Sequence, residues 1–322
     1  MSLRHRMLDI LVITGPIYLL IALGFVGGRV GVFSRPELRA LGKFVVNFAV
    51  PALLFKTLSQ HPVGEIFDPG YLFAYATASL AVLLAAFGFA RYARGRDASF
   101  SALVGMGMTV SNSGFVAYPI VQQWLGPPAA IALAMCMSIE NLLMIPLSLA
   151  LAESGGVHGD TWQRALAKTL GRMLGNPMIV AILLGFAVAL TGLQIPDWVS
   201  RAVGLLAASA TALALFVIGG SLVGLELQGR LGTVATVAFG KLLLHPLAVF
   251  ALLLVMPPID AKLRAAAVAY AAAPMLSIYP ILAQKYGEEG FCAAALLVAT
   301  VSSFVTISAM LWAMSAVLHW VP

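Results

Sequence analysis

The chain has 322 residues, 61% hydrophobic and only 10% charged, with a mean hydropathy of +0.97. A soluble domain is nearer half apolar and a quarter charged, so this much apolar surface cannot hide in one aqueous core, and lipid must be the solvent. The formal charge of +6 fits basic loops facing a cytoplasm and sets nucleic acid aside as a partner.

The N-terminus, "MSLRHRMLDILVITGPIYLLIALGF", places basic residues before an apolar run, as a signal peptide does. The run continues too far and no small-residue cleavage site closes it, so it reads as a first span. Apolar stretches of about 20 residues can cross the hydrocarbon as helices. Ten follow in order, at 10–30, 38–60, 71–92, 99–123, 127–152, 174–194, 197–225, 231–256, 262–285 and 289–318. The longest polar connection, 153–173, separates a first five-helix unit, 1–152, from a second, 174–322. Within it Trp162, Ala165, Leu166 and Leu170 would share one face of a short interfacial helix, with Arg164, Lys168 and Arg172 opposite. A solvated basic linker accounts for the same residues equally well. Cys136 and Cys292 both lie inside apolar runs and form neither a disulfide framework nor a metal site.

Orientation follows from Lys and Arg. The loops after spans 1, 3, 5, 7 and 9, with adjoining helix ends, carry Arg29, Arg35, Arg39, Lys43, Arg91, Arg94, Arg96, Arg164, Lys168, Arg172, Arg230 and Lys285. The opposite face carries Arg4, Arg6, Lys56, Arg201, Lys262 and Arg264. Twelve against six makes the first face, with the 153–173 linker, cytoplasmic and puts both termini outside.

The two units echo each other. "YPIVQQWLG" (Tyr118–Gly126) and "YPILAQKYG" (Tyr279–Gly287) share five of nine positions at an offset of 161 residues. "IALGF" (Ile21–Phe25) matches "ILLGF" (Ile182–Phe186) at the same offset, and "RALG" (Arg39–Gly42) matches "RAVG" (Arg201–Gly204) at 162. Five is odd, so the second unit enters from the opposite face: an inverted repeat, the sequence mark of many secondary transporters. Proline breaks or kinks helices, and broken backbone is tolerated at membrane depth only where protein or a wet cavity covers it. Helices 4 and 9 are therefore expected to be discontinuous near Pro119 and Pro280, and to cross at a binding site. There Asn112, Ser113 and Gly114 correspond to Ala273, Pro274 and Met275, with Ser277 close by. Asn47 in span 2 aligns with Ser209 in span 7 and would offer a polar group from each half. An interhelical hydrogen bond explains both as well.

Intramembrane ionisable groups default to function. Glu140 lies about halfway along span 5, with Asn141 after it. Lys241 lies midway along span 8, one turn before His245, which reads as a packed, hydrogen-bonded histidine. Glu140 and Lys241 would form a structural salt bridge or serve substrate and proton coupling. Gly24/Gly28 and Gly220/Gly224 fit close packing within one chain. "GTVATVAFGK" (Gly232–Lys241) has the wrong glycine spacing for a phosphate-cradling loop, so no nucleotide or other cofactor is expected and gradients would drive transport.

These residues carry a family resemblance. "NSGFVAYP" (Asn112–Pro119), "FAVPALLF" (Phe48–Phe55) and "GNPMIVAILLGF" (Gly175–Phe186) resemble the auxin efflux carrier family, which includes the plant PIN exporters. "CMSIENLLMIPLSLALAE" (Cys136–Glu153) looks like its bacterial malonate-transporter branch. The resemblance covers the whole chain and implies a scaffold of helices 1, 2, 6 and 7, and a moving domain of helices 3–5 and 8–10 with crossed helices 4 and 9. It also implies organic-anion cargo and homodimers. The plant members' long cytoplasmic loop is absent here, and so the regulation it carries is not implied. Either Pro274 or Pro280 would mark the second crossover. The expected function is a secondary transporter of small organic anions in a bacterial inner membrane, malonate or a similar dicarboxylate first, by alternating access coupled to protons or sodium. The alternatives are an auxin-like or other monocarboxylate carrier, a passive channel, and a membrane-embedded enzyme using Glu140, His245 and a serine. The enzyme would need nucleophile and base within about 3.2 Å.

Overall fold

Ser34 and Glu37 begin a helix: the Glu37 carboxylate accepts from the Ser34 hydroxyl (2.6 Å) and backbone N–H (2.7 Å). Asp68, Asp97 and Asp260 cap helices elsewhere, their side chains accepting from Tyr71, Phe100 and Lys262/Leu263 N–H groups at 2.8–3.0 Å.

The computed structural model describes residues 3–60, 68–153, 175, 177–224, 231–316 and 320. The interfacial-helix expectation at Trp162–Leu170 falls outside the described residues. In chain order the helices are α1 (Leu3–Arg29), α2 (Arg35–Ser59), α3 (Pro69–Ala93), α4 (Ala98–Thr109) and α5 (113–125). Then come α6 (Pro128–Glu153), α7 (Pro177–Thr191), α8 (Asp197–Ser221) and α9 (Leu231–Val255). The last are α10 (Ala261–Ala271), the short α11 (Tyr279–Ala283) and α12 (Glu289–Ala316). No strand occurs among the described residues, and one isolated bridge joins Ser111 to Met275.

The protein is an all-helical, multi-pass membrane protein. Among the described residues six helices (α2, α3, α6, α8, α9 and α12) are long and apolar enough to cross a bilayer, and Gly15–Arg29, α4 and α7 are shorter apolar helices. The stretches expected as spans 4 and 9 are each in two pieces, α4 with α5 and α10 with α11.

One group of contacts joins α1 to α8, and α2 to α7 and α8. Another joins α3 to α4 and α9, α4 to α6, α10 to α6 and α9, and α12 to α9 and α11. Buried tyrosines tie the second group together: the hydroxyls of Tyr71, Tyr270 and Tyr279 donate to the carbonyls of Ala132 (3.2 Å), Ala129 (2.7 Å) and Leu103 (2.8 Å). In the first group the approach is close enough to demand glycine. A Cβ on Gly24 would lie 2.7 Å from the Phe216 carbonyl carbon, and one on Gly219 would overlap the Ile21 carbonyl. Gly28 and Gly220 line the same seam, whereas Gly224 terminates α8 with a φ of +71°. Gly185, the repeat partner of Gly24, makes the corresponding contact against α2, where a Cβ would sit 2.8 Å from Leu58 Cβ.

Gly219→Ala is therefore expected to destabilise the protein by about 1–3 kcal/mol through overpacking. Gly15→Ala, whose added Cβ meets nothing within 4 Å, should be neutral or mildly stabilising. Thermal unfolding of the two variants in one detergent checks this; equal melting temperatures would refute the close-approach account.

Candidate functional site

The break between α4 and α5 begins where the sequence turns against helix. After Thr109 come Val110, Ser111, Asn112, Ser113 and Gly114, and Ser and Asn side chains compete with helical backbone for its hydrogen bonds. Val110 is extended (φ −85°, ψ 119°) and Asn112 sits at φ −82°, ψ 60°. The break between α10 and α11 is centred on Pro274, which lacks an N–H and disfavours helix in the residue before it. Both gaps leave backbone groups unpaired in a region without bulk water, and the two gaps satisfy each other. The Asn112 N–H donates to the Pro274 carbonyl at 2.8 Å, the Leu276 N–H donates to the Val110 carbonyl at 3.3 Å, and Ser111 and Met275 pair antiparallel.

This corrects the expected position of the breaks. Pro119 and Pro280 are each the second residue of the α-helical stretch that follows, Tyr118–Leu125 and Tyr279–Ala283. Pro280 is thus early in a helix, where its missing N–H costs little, and Pro119 follows the π turn Ser113–Ala117, which makes room for its ring. Pro274, not Pro280, lies in the crossing segment.

The turn of the backbone through Ser111–Ser113 sorts the polar groups. Ser111 and Ser113 face one way, to Glu140. Its carboxylate accepts from the Ser111 N–H (2.9 Å) and from the Ser113 hydroxyl (2.8 and 3.0 Å), with the Tyr75 hydroxyl at 3.4 Å. The Ser111 hydroxyl accepts from Lys241 Nζ at 2.8 Å. The ammonium also donates to the Ala271 carbonyl (2.6 Å) and lies 3.2 Å from His245 Nδ1, whose ring reaches Ser79 Oγ through Nε2 at 2.9 Å. Glu140 is 3% exposed and Lys241 0%, so neither charge has water to stabilise it and each depends on these partners.

Helix ends supply part of the compensation. Glu140 binds at the start of α5, the positive end of that helix dipole; Lys241 binds the carbonyl of Ala271, the last residue of α10, at a negative end. Both charged residues sit on π turns, Glu140–Met144 and Gly240–Leu244, and each turn runs into a proline, Pro146 or Pro246. The proline ring clashes with the preceding turn, and the wider π turn accommodates it. The direct salt bridge weighed from the sequence is replaced by a bridged arrangement. Among the described residues the ion pair within 4 Å is Lys285–Glu153 at 2.7 Å, and Ser111 stands between Glu140 and Lys241.

Asn112 faces the other way and donates from Nδ2 to Ser277 Oγ at 2.7 Å. Ser277 is half-buried, so this polar pair lies nearer the open side of the crossing than the charges do. Gly114 abuts Val50 of α2 and Met137 of α6. Asn47, Ser209 and Asn141 direct their side chains to their own helices, donating to the carbonyls of Lys43, Leu206 and Met137 at 2.7–2.8 Å. Asn47 is exposed, so it offers no inward polar group in this conformation. Ser111, Tyr75 and Ser79 were not singled out from the sequence.

The Ser79–His245 contact meets the distance expected of a nucleophile and base, yet both residues are 0% exposed between α3 and α9, where no substrate reaches them. The described residues contain no cluster of three His, Cys, Asp or Glu suited to a metal ion.

The family model described as "Membrane transport protein" matches residues 10–311. The chain therefore belongs to this family, that of the auxin efflux carriers. A protein of Rhizobium meliloti (strain 1021) named "Putative malonate transporter" is 25% identical over 301 residues, covering 92% of this chain and 93% of that one. Escherichia coli (strain K12) "Uncharacterized transporter YfdV" is 27% identical over 243 residues, 72% of this chain and 74% of its own. A Mus musculus "Lysosomal cholesterol signaling protein" is 26% identical over 212 residues, covering 62% of this chain and 24% of that one. The protein is a membrane transporter and not an enzyme.

If Ser111 bridges the two charges, Ser111→Ala leaves a buried ammonium short of an acceptor and should cost about 1–3 kcal/mol. Tyr75→Phe removes only contacts at the 3.4 Å limit and should cost about 1 kcal/mol or less. Thermal unfolding of both variants tests the ranking, and a reversed order would remove Ser111 from its bridging place.

Proposed function

We propose that this transporter carries small organic anions, malonate or a similar dicarboxylate first among them, by alternating access. The observation that carries the reading is the crossing itself. Two interrupted helices, one from each half of the chain, meet at Asn112 and Ser277, with a buried cation and a buried carboxylate one residue behind them. Amide and hydroxyl donors suit carboxylate oxygens, and backbone N–H groups at half-helix ends add favourable partial charge. The name borne by the Rhizobium relative favours malonate within that class.

Under this reading Asn112 and Ser277 receive the substrate, with Gly114 beside them and Ser113 holding Glu140 behind. Lys241 offsets its charge through Ser111, and Glu140 takes up a proton or balances a co-transported cation. The moving body is α3–α6 with α9–α12, and the scaffold is α1, α2, α7 and α8. Two findings support that division: contacts are denser within each group than across the seams where α1 meets α12, α8 meets α5 and α2 meets α6, and the glycine contacts match, Gly24 of α1 against α8 and Gly185 of α7 against α2. The same match supports two inverted five-span units, 1–152 and 174–322, about the 153–173 linker. The charge asymmetry supports both termini outside a bacterial inner membrane. A homodimer through the scaffold completes the proposal.

Uptake of labelled malonate, succinate and a monocarboxylate into proteoliposomes, with and without a pH gradient, tests it. Asn112→Ala should weaken substrate affinity about 10-fold or more through loss of a hydrogen bond to a charged group; unchanged affinity would move the site elsewhere. Lys241→Met should abolish dicarboxylate uptake. Glu140→Gln should flatten the dependence on external pH, and a pH profile identical to the parent's, at equal expression, would remove Glu140 from coupling.

Topology has its own check. In a background lacking Cys136 and Cys292, a cysteine at Ser2 should label from outside intact cells and one at Gly156 should not. The reverse pattern would overturn the orientation.

A further inference from the structure

A cavity of about 350 Å³ opens on the basic face, away from the crossing. Its walls are the last turn of α3 (Phe89, Ala90), the α3–α4 loop (Arg94, Arg96), the start of α4 (Phe100, Val104) and the start of α9 (Gly232, Thr233, Thr236). None of these residues belongs to the hydrogen-bonded network around Glu140 and Lys241.

The two arginines are held in place without being neutralised. The Arg94 guanidinium lies 5.3 Å from the Phe89 ring centre and that of Arg96 5.7 Å from the Phe100 ring centre. Stacking fixes a guanidinium by its face and leaves its N–H edge for a planar or tetrahedral oxyanion. The loop is braced, since Arg91 Nη1 donates to the Arg96 carbonyl at 2.9 Å. The neighbouring Asp97 carboxylate is engaged by the Phe100 N–H at 2.8 Å as the cap of α4. Among the described residues neither Arg94 nor Arg96 forms an ion pair.

The lining changes character with depth. The mouth is cationic and carries Thr hydroxyls; the wall behind it is Phe100 and Val104, each 2% exposed. The outer flank is lipid-facing in composition, with Phe89, Tyr92 and Leu231 exposed. A soluble dicarboxylate would satisfy the guanidinium groups and leave the exposed flank of Phe89, Tyr92 and Leu231 without a partner. A ligand with an anionic head and a hydrocarbon tail matches both. We propose that this cavity binds an anionic phospholipid of the surrounding leaflet, its phosphate on Arg94 and Arg96 and one acyl chain along Phe89 and the outer flank of α9. Basic pockets between transmembrane helices at the cytoplasmic face hold lipid headgroups by this chemistry. Bridging the α3–α4 loop to α9, the lipid would tie together elements that are far apart in sequence.

Native mass spectrometry of the full chain, purified in detergent and stripped of lipid, tests the site. The parent is titrated with phosphatidylglycerol and, separately, with phosphatidylcholine of the same acyl chains. Phosphatidylglycerol should bind preferentially, and the double variant Arg94→Gln/Arg96→Gln should lose about 10-fold in its affinity, falling to the phosphatidylcholine level. Val104→Trp, which fills the cavity and keeps both arginines, should lower it as well. Lipid-free melting temperatures establish that each variant is folded, and a variant that is not is replaced as evidence by the other. Equal binding of the two lipids by the parent, or undiminished phosphatidylglycerol binding by a folded variant, would overturn the site. Inorganic phosphate binding as tightly as phosphatidylglycerol would overturn the lipid and leave a soluble-anion site.

Discussion

Backbone that is not helical cannot be left unpaired at membrane depth, and the structure around the crossing follows from that constraint. Two helices stop short, and each exposes N–H and C=O groups that no water satisfies. Two hydrogen bonds between Asn112 and Pro274 and between Leu276 and Val110 close part of the deficit. The remainder falls to side chains. Glu140 takes the Ser111 N–H, and Lys241 takes the Ala271 carbonyl. The two buried charges, costly anywhere else, are stabilised because the breaks supply partners of the opposite polarity.

The same constraint accounts for the π turns. A helix that must present a carboxylate or an ammonium inward and then pass a proline cannot keep a regular ladder. Glu140 with Pro146 and Lys241 with Pro246 follow one pattern, and Ser113 with Pro119 repeats it on the half-helix they serve. In each case the polar residue opens or lies within the widened turn, and the proline comes just after it.

Much of this was legible in the sequence, and the misses are instructive. Composition and spacing located the interrupted segments, because Asn, Ser, Gly and Pro clustered in an apolar run all work against a continuous helix. The break itself was displaced because Pro119 and Pro280 are conspicuous yet compatible with an early helical turn, while the less conspicuous Val110–Asn112 stretch ends α4. Glu140 and Lys241 stood out by charge alone. Their bridging through Ser111 did not, since it depends on the side to which Ser111 points. Asn47 and Ser209 matched in the repeat, but an amide or hydroxyl on a helix can bond the carbonyl one turn back, and both do. Gly24 and Gly28 were readable as a close-packing pair. Gly219, which meets the Ile21 carbonyl, has no glycine at small-xxx-small spacing to draw the eye and emerged only from the seam.

The arrangement of charge bears on how such a site cycles. Glu140 and Lys241 carry opposite unit charges in a region where uncompensated charge is costly, and the α5 and α10 ends add opposite partial charges. Without cargo, the fixed charges of the crossing sum to about zero when both residues are ionised. A body with that balance can change its exposure from one face to the other without carrying net charge through the hydrocarbon, which a carrier returning empty requires. A dicarboxylate seated at Asn112 and Ser277 disturbs the balance by up to two negative charges, and Lys241 already has Glu140 to offset. On the dicarboxylate reading, the loaded crossing would regain its balance by drawing positive charge from outside the chain. Two routes are available to it: a proton taken up by Glu140, which frees Lys241 to face the substrate through Ser111, or a cation entering with the cargo. Under the transport reading, coupling therefore follows from the electrostatics of the loaded site, and Ser111, whose N–H holds the carboxylate and whose hydroxyl holds the ammonium, is where substrate and both charges would sense one another.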